Sequence, residues 1–178
     1  MNLGVHFFFT YFCIMNHLVV LSGVPGSGKS YFSNALREDK EKHVYIISSD
    51  QIRKEICGNQ QDLSQDPLVW KIFYSLIITY SEDKDGIVIL DATNAKKEYR
   101  LDLIKPYRGL YDEIDLVVFH IEKNLVLKQN REREYPIPED ALLRLIDAFE
   151  MPDKEEKEFF DHIDLITDHN IDKVIKRY

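Results

Sequence analysis

A glycine-rich segment at 23–30, GVPGSGKS, constrains the fold of this chain more than any other part of its sequence. It follows an apolar, β-branched run at 17–21 and opens a helical pattern at 29–38. The pattern G-x-x-x-x-G-K-S between a strand and a helix is typical of a phosphate-binding loop, because its glycines let backbone N–H groups turn inward around an anion at the helix N-terminus. A glycine-rich turn without a ligand is the alternative, and the flanking strand and helix disfavour it.

This loop predicts a site for a nucleoside triphosphate, ATP or another, together with Mg²⁺. Lys29 can reach the outer phosphates, and the hydroxyl of Ser30 can bind Mg²⁺. We therefore assign Lys29 a catalytic role as well as a binding role. The predicted nucleotide contacts from the loop are Gly23, Val24, Pro25, Gly26, Ser27, Gly28, Lys29 and Ser30.

Short apolar runs alternate with longer segments of helical periodicity along the chain. The runs predict strands at 17–21, 43–47, 87–90, 114–119 and, more weakly, 163–166. The helical patterns lie at 29–38, 50–56, 66–80, 95–105 and 124–133, then up to 149 and at the C-terminal end. Strands joined by helical crossovers pair in parallel, so we predict an α/β fold with a five-stranded parallel sheet and helices on both faces. Ligands of such folds bind beyond the carboxyl ends of the strands.

The net charge of −8 limits the partners that this chain can bind. It argues against a broadly basic surface that clamps a nucleic-acid duplex. The excess acid is concentrated at 134–178, with 6 Lys+Arg against 13 Asp+Glu, whereas 91–133 carries 9 against 8. A few placed arginines could still hold the end of a single strand, because local charge decides such contacts.

The two cysteines indicate a reducing environment. Cys13 and Cys57 form no C-x-x-C pair and have no His partner at metal-ligand spacing, so we expect neither a disulfide framework nor a zinc site. The predicted location is therefore cytoplasmic.

The first 14 residues are apolar, but no Lys or Arg precedes them as in a secretory signal. The apolar run continues toward Leu21, yet polar residues interrupt it and its second half is needed for the first strand, so we expect no membrane span. Met15 stands just before that strand. We predict a dispensable extension at 1–14 and a single domain at 15–178; an extra strand or an oligomer contact is the alternative.

The residues after the second strand, SSDQIR at 48–53, could form the acceptor side of a phosphate site. A carboxylate at the mouth of such a site could accept the proton of an attacking hydroxyl, and an arginine one helical turn later could hold a phosphate of the acceptor. Asp50 is therefore a candidate general base and Arg53 a candidate acceptor-binding residue. The alternative is that Asp50 only caps the helix, a position that Asp favours.

The third strand is followed by Asp91-Ala-Thr-Asn94. An acidic residue that ends an apolar strand beside a phosphate loop commonly binds a metal ion or its waters, so Asp91 joins Ser30 as a candidate metal-binding residue. Asn94, and Arg100 on the following helix, are candidate acceptor-binding residues. A turn or a helix cap is the alternative for Asp91 and Asn94.

A basic cluster, KQNRER at 128–133, lies between the fourth strand and the sequence PIP at 136–138. Arginines on a mobile segment over a nucleotide can neutralise charge that develops on a transferred phosphoryl group. We therefore predict a helical lid at 130–138, with Arg131 and Arg133 contacting the nucleotide and Arg133 assisting catalysis. A solvated helix face, in which glutamates alternate with the arginines, is the alternative.

Taken in order, GVPGSGKS, SSDQIRKEICG, DATNAKKEYR and NREREYPIPEDALLRLIDAFEMP resemble the motifs of the 5′-hydroxyl polynucleotide kinases and their kinase-domain relatives in the P-loop kinase class. The resemblance covers residues 17–152 and implies the sheet order 2-3-1-4-5. It also implies that Asp50 is the general base on the acceptor 5′-OH and that Arg53 binds the acceptor's phosphate. Lys29 and Ser30 would then contact ATP and Mg²⁺.

The resemblance assigns Arg133 to the second arginine of the family's lid pattern, R-N-x-x-R. The first arginine of that pattern is Gln129 in this chain, and Arg131 could substitute for it.

We therefore expect an ATP-dependent kinase that transfers the γ-phosphate to a hydroxyl, with the 5′-OH end of DNA or RNA as the favoured acceptor. A kinase of a small metabolite or of aminoacyl-tRNA would share the nucleotide residues and differ in its acceptor pocket, for which Trp70, Phe73 and Tyr74 are candidates. A non-catalytic ATP-binding switch is a third reading, which the presence of both Asp50 and Arg53 disfavours.

Overall fold

A computed structural model of the protein describes residues 15–38 and 43–178, so the expectations for the extension at 1–14 lie outside the described residues. At the centre of the described part, five parallel strands pair in the order β2-β3-β1-β4-β5. Each strand lies within one residue of its predicted bounds, so the predicted sheet is confirmed. The strands are β1 His17–Ser22, β2 His43–Ser48, β3 Gly86–Asp91, β4 Glu113–Phe119 and β5 His162–Ile166.

Helices cover both faces of this sheet, as predicted. Helices α1 and α7 pack on one face, and α3 and α4 pack on the other. Short 3₁₀ turns precede α3, follow α4 and precede β5. The α-helices among the described residues are α1 Lys29–Arg37, α2 Ser49–Cys57, α3 Asp66–Tyr80, α4 Lys97–Ile104, α5 Lys123–Arg131, α6 Glu139–Asp147 and α7 Ile171–Ile175.

The central strand β1 shows why its sequence is apolar without alternation. It pairs with β3 on one side and β4 on the other, and its side chains point alternately into the two layers of helices. Leu18 and Val20 pack toward α3 and α4, whereas Val19 and Leu21 pack toward α1 and α7. All four are fully buried. Burial on both faces is typical of parallel sheets and fixes β1 as the support of the segment that follows it.

Helix α3 illustrates how the 3- and 4-residue periodicity becomes packing. Val69, Phe73 and Ile77 are spaced four residues apart and are fully buried against the sheet. Each buried side chain of this size contributes about 1.5–3 kcal/mol of transfer free energy. This stripe anchors the N-terminus of α3 close to α2, which becomes important for the site.

The register of the strands brings their carboxyl ends to one edge of the sheet. Ser48 at the end of β2 lies beside Asp91 at the end of β3, and Ser22 at the end of β1 lies beside Val118 of β4. The segments after β1, β2 and β3 therefore meet at this edge, as the α/β pattern predicts.

Within the described part of the chain, no helix is both long and apolar enough to cross a membrane.

Candidate active site

The segments that follow β1, β2 and β3 line a cleft of about 920 Å³ at the carboxyl edge of the sheet. Residues 25–30 of the glycine-rich loop form its floor. Asp50 from α2, Asp91 from β3 and Arg133 from the segment between α5 and α6 form its walls. The cleft thus brings the predicted loop, base, metal and lid residues together.

Two glycines of the loop lie too close to neighbouring elements to carry a side chain. Gly26 has φ of 81°, and a Cβ atom there would lie 3.1 Å from the carbonyl oxygen of Val126, because α5 packs directly on the loop. At Gly23, a Cβ atom would lie 2.8 Å from the Cβ atom of Phe119 on β4. Both positions therefore exclude a side chain, one by backbone conformation and close approach and the other by close approach alone.

Lys29 begins α1 and turns its side chain back into the loop. Its Nζ donates to the carbonyl oxygens of Gly23 at 2.7 Å and Val24 at 3.0 Å. Burial lowers the pKa of Lys29, while the carboxylates of Asp91 and Asp50 oppose that shift. The ammonium group is thus held at the loop in a setting of low dielectric, where its attraction to a phosphate is stronger than in water.

Ser30 and Asp91 present oxygen atoms side by side in the cleft. The Ser30 hydroxyl donates to Asp91 Oδ2 at 3.1 Å. Burial raises the pKa of the Asp91 carboxyl, and the nearby Lys29 opposes that rise. A hydroxyl and a carboxylate beside a phosphate loop form the hard oxygen donor set that Mg²⁺ prefers, so the residues fit this ion.

Asp50 is not the cap of α2. The helix is capped by Ser48, whose Oγ accepts a hydrogen bond from the backbone N–H of Gln51 at 3.3 Å. The Asp50 side chain is 54% exposed and lines the cleft. The structural alternative for this residue is thereby removed, and its carboxylate is available to a ligand.

The predicted acceptor-binding role of Arg53 needs correction. Its side chain is only 8% exposed and is not part of the cleft lining. Its Nη1 lies 3.1 Å from Asp50 Oδ1, and its Nε and Nη2 each lie 2.9 Å from Asp66 Oδ1. Helical spacing correctly predicted that Arg53 would meet Asp50, but the side chain packs behind that carboxylate instead of beside a ligand.

The predicted lid is an irregular segment between two helices instead of a helix. Residues 132–138 connect α5 to α6, and Asn130 at the end of α5 organises them. The Asn130 side chain donates to the Ile137 carbonyl at 2.8 Å and accepts from the Ile137 N–H at 3.0 Å. This loop closure aims Arg133 at the cleft, where its Nη2 lies 3.9 Å from Asp50 Oδ2.

The segment 132–138 also contacts the region around α2. Gln61, just beyond α2, donates to the carbonyl oxygen of Pro136 at 3.2 Å. Lys54 on α2 lies 5.7 Å from the ring centroid of Tyr135. The segment 132–138 therefore lies against the helix that carries Asp50.

Arg100 was predicted to bind the acceptor, and its position rules this out in the present structure. Its side chain is fully buried on α4, outside the cleft, and it makes a two-point ion pair with the buried Glu156 at 2.7 and 2.9 Å. Its Nη1 donates to the carbonyl oxygens of Ala95 and Glu150. Arg100 therefore ties the segment after β3 to the segment before β5.

Asn94 and Arg131 also lie outside the cleft lining. Asn94 is buried in the left-handed region, with φ of 43°, and its side-chain amide donates to the Leu21 carbonyl at 2.8 Å. Arg131 is 66% exposed and pairs with Glu139 at 3.0 Å. The first residue supports the end of β1, and the second belongs to the solvated face that we weighed as the alternative for the basic cluster.

The cleft contains residues that the sequence interpretation did not select. Gln129 lines it at the position where the lid pattern of the resembled family has arginine. Gln51 and Gln60 line the side of α2, and Arg37 lines the far end along α1. Helical spacing of seven residues from Ser30 could have suggested Arg37, whereas no local signal marks Gln51 or Gln60.

The aromatic residues of α3, which are candidates for an acceptor pocket, lie outside the cleft. Phe73 is fully buried in the core, and Trp70 and Tyr74 pack with it and with Tyr107. None of them lines the cleft.

A phosphate loop between β1 and α1 of a parallel 2-3-1-4-5 sheet, with one cleft carboxylate at the end of β3 and another on the helix after β2, defines a P-loop fold of the kinase type. The chain belongs to the AAA domain family, whose sequence profile matches residues 18–152.

Two curated relatives match over 146 residues, or 76% of this chain. They are protein kti12 of Schizosaccharomyces pombe, with 26% identity, and L-seryl-tRNA(Sec) kinase of Methanococcus maripaludis, with 29% identity. The chain spans about half the length of these relatives, 52% and 53% respectively.

Solved structures share the fold. Kti12 of Chaetomium thermophilum in complex with ADP-AlF3 is similar with a TM-score of 0.64 and 16% identity, over 90% of this chain and 96% of that one. A chain of the Pnkp1/Rnl/Hen1 RNA repair complex is similar with a TM-score of 0.66 and 24% identity, over 83% of this chain and 47% of that one.

Proposed function

We propose that this protein is an ATP-dependent kinase that transfers the γ-phosphate to a hydroxyl group, with the 5′-OH end of a polynucleotide as its acceptor. The observation that carries the proposal is the placement of Asp50. Its exposed carboxylate lines the same cleft as the phosphate loop, and Arg133 approaches it from the opposite wall. A base, a phosphate cradle and a mobile cation are the parts that phosphoryl transfer to an alcohol needs.

In this proposal, residues 23–30 hold the triphosphate and Lys29 contacts its outer phosphates. Asp50 accepts the proton of the acceptor hydroxyl. The oxygen of that hydroxyl bonds to the γ-phosphorus, and the bond between this phosphorus and the β–γ bridging oxygen breaks, which releases ADP. Arg133 lies where it can neutralise charge on the transferred group. Lys29, Asp50 and Arg133 all line the cleft.

Mg²⁺ fits beside Ser30 and Asp91, whose oxygen atoms lie 3.1 Å apart. The ion would supply charge neutralisation and alignment of the terminal phosphates. Asp91 would hold it directly or through water, in keeping with the habit of Mg²⁺ to retain several waters.

The choice of a polynucleotide acceptor has support from the sequence motifs and from the relatives. The motif order at 17–152 resembles that of polynucleotide 5′-hydroxyl kinases. One fold relative belongs to an RNA repair complex, and a curated relative is named as a kinase of seryl-tRNA(Sec). The latter favours an aminoacyl-tRNA hydroxyl as the second candidate acceptor.

The test is incubation with γ-labelled ATP and a panel of acceptors: 5′-OH DNA, 5′-OH RNA, seryl-tRNA and small alcohols. We expect label on the 5′-OH oligonucleotides. Asp50→Asn should reduce kcat by about 10²-fold or more because the base is lost, with ATP affinity unchanged. Asp102→Asn, an exposed acid on α4, is the matched control and should retain wild-type activity.

Three outcomes would count against the proposal. Label on seryl-tRNA or a small alcohol alone would replace the acceptor. Wild-type turnover by Asp50→Asn would remove the base from the reaction. ATP binding by calorimetry without transfer to any acceptor would favour a nucleotide switch, and an unchanged ATP affinity of Lys29→Ala would refute the assignment of the loop.

A further inference from the structure

We propose that Asp66, at the first turn of α3, is a positioning residue for the base Asp50 and acts on it through Arg53. The inference rests on the proposed function and deepens it. It assigns a role to a residue that no motif marks, and it changes the role of Arg53 from a ligand of the acceptor to an internal support.

The geometry is a chain of three charged side chains. Asp66 Oδ1 accepts a hydrogen bond from Nε of Arg53 at 2.9 Å and lies 2.9 Å from Nη2 of the same ion pair. The remaining nitrogen, Nη1, lies 3.1 Å from Asp50 Oδ1 and 3.3 Å from the carbonyl oxygen of Gln60. One edge of the planar guanidinium is thus fixed by Asp66 and the other is presented to Asp50. Lysine could not make this bridge, because it lacks the planar fork.

Of these three side chains, Asp50 is the most exposed and Arg53 is the most buried. The Asp50 side chain is 54% exposed, that of Asp66 is 34% exposed, and that of Arg53 is 8% exposed. An exposed carboxylate on the first turn of a helix samples several rotamers unless a partner holds it. A buried arginine that is itself fixed on its far side is such a partner.

The location of Asp66 explains why its carboxylate can hold Arg53 in place. It opens α3 and is followed by proline at the next position, so its carboxylate lies at a helix N-terminus, which stabilises negative charge. The buried stripe of α3 then ties this end to the sheet. The Asp50 side chain is thereby held in place by α3, through Asp66 and Arg53, as well as by its own helix α2.

The same contacts leave Arg53 little capacity for an acceptor phosphate. Most of its N–H groups already donate to Asp66, Asp50 and the Gln60 carbonyl. Among the described residues, the cations that line the cleft are Lys29, Arg37 and Arg133. Positioning of the base is the role that these contacts support.

The experiment is a double-mutant cycle on phosphoryl transfer under saturating ATP. Asp66→Ala should lower kcat by about 10- to 100-fold, since misplacing a reacting group by about 1 Å costs up to that much, and should leave the acceptor KM and the ATP Kd within twofold. In an Asp50→Asn background, where no base remains to position, Asp66→Ala should change the residual rate less than twofold. Glu82→Ala, which removes an exposed acid just beyond the other end of α3, is the matched control and should retain wild-type kcat.

A general loss of structure would lower the rate equally in both backgrounds, so equal effects would overturn the inference. Asp66→Asn, which preserves shape, serves where Asp66→Ala does not fold. An unchanged kcat in both Asp66 variants would also overturn the inference. So would an Arg53→Lys variant that changes only the acceptor KM, if this change disappears when the first internucleotide phosphate of the acceptor is replaced by a neutral methylphosphonate, because Arg53 would then bind that phosphate.

A second readout does not depend on turnover. The Arg53 Nε–H should exchange slowly with solvent in the wild type and in Asp50→Asn, and rapidly in Asp66→Ala, which removes its acceptor, when followed by NMR. If no acceptor is phosphorylated, the proposed function fails, and this exchange still decides the geometric claim: fast exchange in the wild type overturns it.

Discussion

Glu156→Gln tests whether Arg100 belongs to the fold or to the site. Both side chains are fully buried and joined at two points, 2.7 and 2.9 Å. Gln keeps the size of the side chain but leaves the guanidinium as an uncompensated buried charge. Breaking one partner of such a pair costs about 3–5 kcal/mol, which for a chain of this size lowers Tm by about 6–20 °C. Urea and thermal unfolding measure this change.

The control is Asp140→Asn, which breaks an exposed pair with Arg144 on α6 and should cost less than about 0.5 kcal/mol. At a temperature well below both Tm values, the acceptor KM of Glu156→Gln should equal that of the wild type. A change of under about 1 kcal/mol in unfolding free energy, or a raised KM in the still-folded variant, would refute the structural role.

Two further predictions concern the cleft. Gly26→Ala and Gly58→Ala both place Ala at a positive φ, so each should lower the free energy of unfolding by about 1–2 kcal/mol. Only Gly26→Ala should weaken ATP binding, measured by calorimetry. A Cβ atom at Gly26 would lie 3.1 Å from α5, whereas nothing lies within 4 Å of one at Gly58. Burial raises the pKa of Asp91, so the folded protein holds that proton more tightly than the unfolded chain and loses stability as the pH rises through the folded-state pKa. Asp91→Asn should therefore gain stability relative to the wild type as the pH rises through that value, while it raises the Mg²⁺ concentration needed for half-maximal transfer; a difference in unfolding free energy that does not depend on pH would contradict this.

The fold could be predicted closely because its signals are local. Apolar β-branched runs mark the five strands, and the resemblance of the motifs to those of the polynucleotide kinases implies the strand order that the structure shows. The same logic placed Asp50 and Asp91 in one cleft, since both follow strands that end at the same edge. Because ligands of parallel α/β folds bind beyond the carboxyl ends of the strands, the place of a residue just after a strand is enough to predict that it lies at this edge.

The directions of the arginines could not be predicted in this way. Arg53, Arg100 and Arg131 all lie on helices near the site, yet the first packs behind Asp50, the second is buried with Glu156 and the third faces solvent. The partner that decides each direction is 13 residues away for Arg53, 56 for Arg100 and 8 for Arg131. The side chain of an arginine points toward the carboxylate with which it pairs. When that carboxylate belongs to another helix or strand, helical spacing cannot predict the direction.

This sorting of the arginines changes what the cleft can bind. In the proposed function Lys29 and Arg133 contact the triphosphate and the transferred group, which leaves Arg37, two turns along α1, as the further cation of the described cleft lining. A long polyanion needs many such contacts, and each adds to the salt dependence of binding. The proposed enzyme therefore holds the end of a strand through the reacting nucleotide, so kcat should vary with the acceptor end while affinity depends only weakly on strand length and salt.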